Sequence, residues 1–270
     1  MRPTSLVLLI IITLTACEEV IQIDINDADP QIVIEANISD QTGWNYTYIT
    51  KSTDFYNPNE YIKVTNAEII ISDDSGDKET LTEVEPGVYR TKSLIGQKGK
   101  SYSIETSLDG RVFYARTTIP ETIKIDSVNY KLNNNFRNKN KESYEIHCYF
   151  TDPPGIKNYA RLKIYKNGKQ IDGIFVYDDR LTDGNRIDYS RFRFGDEDNK
   201  IELGDEVKIE LMSIDEQTYN YFNTLSDVLA SGGGGMGSVA PGNPTTNWQN
   251  GALGYFGGYS LDSITFTIYK

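Results

Sequence analysis

One histidine and two cysteines are the residues of this chain best suited to nucleophilic chemistry. His147 and Cys148 are adjacent, so together they would supply a base and a thiol. They lie in residues 143–150, where alternating polar and apolar positions predict a strand, and a strand directs neighbouring side chains to opposite faces. We therefore predict a buried, unreactive thiol at Cys148, a structural or surface role for His147, and no catalytic residue.

Carboxylates offer a second kind of chemistry. Asp178, Asp179 and Asp183 form one acidic group and residues 196–198 form another, and both supply the oxygen atoms that calcium takes as ligands. Neither group has the alternating acidic spacing of a calcium-binding loop, so we predict neither a metal nor a cofactor. A carboxylate pair for glycoside hydrolysis stays open as a further alternative, because spatial separation decides that chemistry.

Cys17 is the residue whose surroundings are most specific. One positive charge, Arg2, precedes the apolar run 6–14, which is too short to span a bilayer and has the length of a secretory signal. Residues 14–17, Leu-Thr-Ala-Cys, resemble the bacterial lipobox, in which the cysteine becomes the first mature residue and receives fatty acyl chains such as palmitate. We predict a signal peptide over 1–16 and an acylated anchor at Cys17.

Composition excludes several functions. The chain has 27 basic and 39 acidic residues and a net charge of −12, which argues against binding to nucleic acid or to anionic lipid. A single histidine excludes a zinc site with two histidines. With Cys17 lipidated, the other cysteine has no disulfide partner, so the hydrophobic core must be stable without a cross-link.

Periodicity predicts a mainly β protein with two sandwich-like domains. A lipidated tether and a first strand occupy 17–30, and short strands separated by tight turns over 31–120 predict an immunoglobulin-like or prealbumin-like sandwich. Residues 121–270 predict a β-rich domain with one packed helix near 214–230, where the apolar spacing changes to 3.6 residues. The glycine-rich segment 232–237 has no lysine and follows the helix, so we interpret it as a loop without a phosphate-binding role.

Four aromatic residues are candidates for binding. A flat apolar ring with a polar rim stacks on sugars or anchors a protein interface, and such rings are supplied by Trp44 and Trp248 and by the tail residues Tyr255 and Phe256. The alternative for each is packing in the core of a β-rich fold. For any single ring we favour packing, and we favour a structural role for the glycine-rich tail over a docking loop.

Several segments, in this order, resemble a family of Bacteroidetes-type outer-membrane lipoproteins known only as a domain of unknown function. The resemblance covers nearly the whole mature chain, with the tetraglycine run as a departure, and no catalytic or binding residue is established for the family. Members are often encoded beside TonB-dependent receptors. The segments that carry the resemblance are residues 14–19, 30–36, 86–90, 150–155 and 247–259.

Together these features predict a non-enzymatic accessory or binding lipoprotein of the outer membrane. The resemblance implies a TonB-dependent β-barrel receptor or a related envelope complex as partner. The alternatives are capture of a glycan or a peptide at the surface and, as a second alternative, a glycoside hydrolase-type enzyme. Glu18 and Glu19 resemble the export tag of surface lipoproteins, but a solvated tether facing the periplasm is the other interpretation.

Overall fold

The computed structural model describes residues 30–52, 61–133, 143–190, 192, 199–231 and 242–269. The described elements are mostly strands, which confirms the predicted mainly β class. They are β1 Ile32–Ser39, β2 Tyr46–Lys51, β3 Ile62–Lys63, β4 Glu68–Asp73, β5 Lys78–Thr80, β6 Thr82–Glu85, β7 Val88–Arg90, β8 Ser101–Leu108, β9 Arg111–Thr118, β10 Ile125–Leu132, β11 Tyr144–Thr151, β12 Tyr159–Lys166, β13 Lys169–Gln170, β14 Phe175–Asp178, β15 Arg186–Tyr189, β16 Glu206–Ile214, α1 Glu216–Ser231 and β17 Leu253–Thr267.

The strands form one large sheet and two small ones. The large sheet has ten strands in the order β13-β12-β16-β17-β1-β2-β7-β6, with β14 added to β12 and β3 added to β2. The small sheets have the orders β5-β4-β8-β9 and β10-β11-β15. One small sheet packs on each half of the large sheet, and this arrangement is the sandwich-like architecture expected from the strand pattern.

Each sandwich half has its own hydrophobic core. In the first, Ile34 and Ile49 of the large sheet pack with Ile71 and Phe113 of the four-stranded sheet, and all four are fully buried. Removing such side chains from water is the main stabilising term of a fold that has no disulfide between described residues.

The second core lies between the three-stranded sheet and the other half of the large sheet. Ile146 and Phe150 of β11 pack with Leu162 of β12 and Ile209 of β16. Cys148 shares this core, as its alternation with polar residues predicted.

Strand β17 belongs to both sandwiches. Its first half, Leu253 to Tyr259, pairs in parallel with β1, and its second half, Tyr259 to Thr267, pairs antiparallel with β16. A chain divided at residue 120 would therefore leave the first sandwich without one of its strands. The division into domains 31–120 and 121–270 stays a prediction, but the two halves share hydrogen bonds along one strand.

The segment before β17 is fixed to the first sandwich by specific contacts. The indole Nε1 of Trp248 donates to the carbonyl of Ile34 at 2.9 Å, and Gln249 pairs with Tyr114 of β9. Gly254 has a φ of +90°, and a Cβ there would collide with the same Ile34 carbonyl. Only glycine tolerates both the dihedral angle and the close approach of the backbone.

Helix α1 begins one residue after its cap. Asp215 accepts a hydrogen bond from the amide of Thr218 at 2.9 Å, and its other oxygen accepts one from the Thr117 hydroxyl at 2.7 Å. The Ser213 hydroxyl takes no part in this cap and instead accepts a hydrogen bond from the amide of Ile123. Within the described ranges, no helix has the length and apolar character needed to cross a membrane.

The shared strand gives the first testable prediction. We expect Gly254→Ala to lower the free energy of unfolding by at least about 1 kcal/mol, because alanine at a positive φ is strained and its methyl group displaces β1 from β17. Urea denaturation measures the change. Gly242→Ala is the matched control, because its Cβ would meet no atom within 4 Å; equal stability of the two variants would contradict the prediction.

Candidate functional site

The face of the large sheet turned away from both cores carries aromatic and charged side chains, and we call it the outer face. Its composition follows from period-two alternation along the strands. In β12, Ala160, Leu162 and Ile164 are buried in the second core, while Arg161 and Lys163 point to the opposite side. Other members of the outer face are Glu35, Trp44, Tyr46, Tyr48, Arg90, Tyr159, Tyr165, Glu210, Tyr255 and Tyr259.

Helix α1 covers the middle of the outer face. The ring of Tyr221 stacks on Tyr255 with 4.6 Å between the ring centroids, and Phe222 lies 3.6 Å below the guanidinium carbon of Arg161. Arg161 is thus held by a cation–π contact. Its Nε is buried and has no hydrogen-bond partner among the described residues.

Glu35 is the acidic group of this region. Its strand partners are Tyr255 on one side and Tyr48 on the other. Burial raises the pKa of Glu35, and the Tyr221 hydroxyl and the Arg161 charge only partly oppose that effect. The carboxylate therefore costs the folded state free energy when it ionises.

Beside the helix, the outer face forms a cleft with a volume of about 250 Å³. Trp44 stands at its edge with 54% of its surface exposed, and the Arg90 guanidinium lies 3.7 Å from the centre of the Trp44 ring. Next to it on β2, Tyr46 and Tyr48 stack at 6.1 Å. Tryptophan, tyrosine and arginine are the residues that contribute most at protein interfaces.

Lys163 lines the cleft, and no described carboxylate forms an ion pair with its ammonium. It stands opposite Glu210, but the carboxylate oxygens of Glu210 are taken by the Tyr165 hydroxyl at 2.9 Å and the Lys208 ammonium at 2.7 Å. Lys163 forms no ion pair with any residue that the structure describes. Burial, followed by the nearby Arg161 charge, lowers the pKa of Lys163, and the Glu210 charge only partly opposes them. An anionic ligand group would relieve both effects.

A larger cavity of about 850 Å³ lies between β14, β15 and α1. Its central polar groups bind one another: Asp178 accepts hydrogen bonds from Arg180 Nε at 2.8 Å and from the Tyr219 hydroxyl at 2.6 Å. The Arg180 contact, aided by that of Tyr219, lowers the pKa of Asp178 to about 2. Because these groups are already paired, the cavity offers a ligand less than the Trp44 cleft does.

The structure separates the four predicted aromatic residues. Trp44 is exposed, whereas Trp248 and Phe256 are buried in the first core. Tyr255 is buried between β17 and α1. The first half of β17 is covered on one face by the sandwich and on the other by the helix, so the tail presents no ring of these three to a ligand.

The remaining predicted residues fall into two groups. Cys17, residues 196–198 and the loop 232–237 lie outside the described residues.

His147 and Cys148 do not form a catalytic pair with each other. Burial raises the pKa of the Cys148 thiol to about 12, while Nδ1 of His147 lies 2.7 Å from a carboxylate oxygen of Asp188. Asp179 and Asp183 lie close together, but Asp178 points away from them into the larger cavity.

Arg161 and Lys163 were not recognised in the sequence. The sequence of β12 could have indicated them, because Arg161 and Lys163 alternate with apolar residues between two tyrosines. That pattern is equally typical of a solvated strand face. Only the packing of the loop 41–44 shows that Lys163 lines a cleft, and only the packing of α1 shows that Arg161 lies over Phe222.

Comparison with known proteins gives a family. The sequence profile described as domain of unknown function DUF4249 matches residues 18–265. The chain belongs to this family. No curated protein matches the chain.

Among solved structures, a DUF4785 family protein from Legionella pneumophila matches with 12% identity and a TM-score of 0.21. The match covers 67% of this chain and 52% of that protein, so the chain spans about half of its length. Family membership assigns no site residue, and the candidate site rests on geometry alone.

The pKa of Glu35 gives the second prediction. Its folded-state pKa is raised, so its contribution to stability is greatest below about pH 4.5 and is lost as pH rises through the folded value. We therefore expect Glu35→Gln to have a Tm at pH 7 equal to or above that of the wild type, with the wild type regaining the difference at pH 4.

Glu83 is the control of opposite sign. Hydrogen bonds from the amides of Asn66 and Gly87 lower the pKa of Glu83, so its contribution is present at neutral pH and is lost as pH falls. Glu83→Gln should lower Tm at pH 7. Thermal denaturation at the two pH values distinguishes the pair, and a Tm loss at pH 7 in Glu35→Gln as large as in Glu83→Gln would refute the assignment.

Proposed function

We propose that this protein is a lipid-anchored, non-enzymatic binding protein of the outer membrane that engages a partner through the Trp44 cleft. The anchor is Cys17, on the strength of the lipobox-like residues 14–17, and the family resemblance points to a TonB-dependent receptor or a related envelope complex. Membership of the DUF4249 family is compatible with this role without assigning it.

One observation carries the proposal: an exposed indole and an unpaired ammonium line the same cleft. Trp44 provides a flat apolar surface, and Lys163 provides a charge whose natural counter-ion is a carboxylate. The fitting ligand is a segment that presents an acidic group next to an apolar or aromatic one. Loops of a barrel receptor have both kinds of residue.

Tethering explains how a small site suffices. Acyl chains confine the body to the membrane, with about 0.8 kcal/mol for each buried methylene, and confinement raises the local concentration near a membrane partner. Whether the body faces the medium or the periplasm is decided by protease treatment of intact cells. We propose the outward orientation, which requires digestion before the outer membrane is breached.

Pull-down tests the cleft. From gently solubilised outer membranes, the tagged wild type should retain a barrel protein, and Trp44→Ala and Lys163→Ala should each reduce the recovered amount about tenfold or more, as expected for residues at the centre of an interface. Quantitative mass spectrometry of the eluate gives the measurement.

Tyr269→Ala and Lys169→Ala are the matched controls, because both remove an exposed side chain of the same kind outside the cleft. Both should recover the wild-type amount. If all four variants recovered equal amounts of the barrel protein, the cleft would not be the binding site. If the wild type recovered no barrel protein, the proposed partner would be wrong.

Thiol counting tests the anchor. Cys148 is fully buried with its pKa raised to about 12, so a thiol reagent should find no reactive group in the folded protein purified from membranes. After unfolding it should find one thiol per chain, because the sulfur of Cys17 carries lipid. Two thiols per chain, together with unchanged location of Cys17→Ser, would remove the anchor from the proposal.

Capture of a glycan is the second candidate, favoured by the exposed ring of Trp44 at the cleft. An acidic sugar would use the same indole for stacking and Lys163 for its carboxylate. Retardation in affinity gels containing acidic polysaccharide, lost in Trp44→Ala but retained in Tyr269→Ala, would favour this candidate over a protein partner.

A further inference from the structure

Two neighbouring loops of the second sandwich bring three carboxylates together. Asp152 lies in the loop between β11 and β12, and Asp179 and Asp183 lie in the loop between β14 and β15. One carboxylate oxygen of each lies within 4.8 Å of one from each of the others. Two oxygens bound on opposite sides of one calcium ion are separated by about this distance, since each bond is about 2.4 Å long.

Each of the three carboxylates is anchored through one oxygen only. Oδ2 of Asp152 accepts a hydrogen bond from the amide of Gly184 at 3.0 Å. Oδ2 of Asp179 accepts one from the amide of Asn158 at 2.6 Å, and Oδ1 of Asp183 accepts one from the amide of Gly155 at 2.8 Å. The backbone thus orients the carboxylates and leaves their second oxygens available.

Asp152 is the decisive member of the group. Its side chain is fully buried, yet Oδ1 has no hydrogen-bond partner among the described residues. The side-chain amide of Asn158 is close enough to favour the ionised form of Asp152, but the two hydrogen bonds of its Nδ2 go to the carbonyls of Pro153 and Ile156. A buried carboxylate oxygen without a partner carries a substantial desolvation cost unless a cation or proton satisfies it.

No described cation compensates this charge. None of the three carboxylates forms an ion pair with a lysine, arginine or histidine in the part of the chain that the structure describes. Burial raises the pKa of Asp152 and the charges of Asp179 and Asp183 raise it further, while the Gly184 amide and the Asn158 side chain oppose these effects. The group is therefore an anionic site that lacks its counter-ion.

We propose that Asp152, Asp179 and Asp183 form a calcium site that joins the two loops. An all-oxygen donor set with no histidine or cysteine suits a hard cation, and calcium accepts the irregular geometry that flexible loops and added water ligands provide. Magnesium demands a near-ideal octahedron and gives up its water reluctantly, which suits this partly buried site less.

The site has a structural consequence for the neighbouring cavity. The loop that holds Asp179 and Asp183 continues through residues 180–182, which line the larger cavity. The loops are already joined by a hydrogen bond from the amide of Asp152 to the carbonyl of Asn185 at 2.9 Å. A bound ion adds a second link between them and fixes one wall of the cavity.

Calcium-dependent stability tests the proposal on the mature chain after removal of bound ions with EDTA. Added CaCl₂ should raise the Tm of the wild type by about 4 °C or more at saturation, and MgCl₂ at the same concentration should raise it less. Asp152→Asn should abolish the calcium shift while its Tm in EDTA equals or exceeds that of the wild type, because the substitution relieves repulsion. If Asp152 had a purely structural role, Asp152→Asn would instead lower the Tm in EDTA.

Two further variants keep the test decisive. Asp183→Asn changes an exposed side chain, so it should fold, and it should weaken calcium affinity in titration calorimetry about tenfold or more. Asp172→Asn removes an exposed carboxylate elsewhere and should behave as the wild type. The assignment would be overturned if calcium did not raise the Tm of the wild type or if magnesium raised it equally. It would also be overturned if Asp183→Asn bound calcium with unchanged affinity.

Discussion

The pairing of one strand with two different neighbours is the constraint on which the rest of the structure depends. Strand β17 runs parallel to β1 through its first half and antiparallel to β16 through its second, so its backbone hydrogen bonds belong to both sandwiches. Gly254 permits the close approach to β1, and Trp248 fixes the preceding segment by its bond to Ile34. The two cores are therefore layers on one continuous sheet.

That continuity creates the outer face. A sheet covered on one side by two small sheets exposes its other side over the combined width of both sandwiches, and α1 covers only the part formed by β14, β12 and β17. The uncovered part must be compatible with water, which accounts for its tyrosines and charges. The same requirement places the unpaired Lys163 beside Trp44, and the proposed binding role follows from this juxtaposition.

The calcium proposal and the binding proposal concern different parts of the molecule and stand independently. The carboxylates lie in loops at the edge of the second sandwich, whereas Trp44 belongs to the loop that leads into β2. Both sites share one physical origin, because each holds a charge that no described residue pairs with directly. Such groups cost stability in the free protein and are retained where a ligand supplies the opposite charge.

Local pattern in the sequence was sufficient for the strands, the helix near 214–230, the buried Cys148 and the separation of His147 from it, because alternation and helical spacing act over a few residues. Pattern could not show that β17 returns to β1, so for Trp248 and the tail it favoured packing but left binding as an alternative. It placed Asp179 and Asp183 in one acidic group with Asp178, but it could not add Asp152, which comes from another loop. Contacts between distant segments decide burial and charge pairing, and only the tertiary structure brings those segments together.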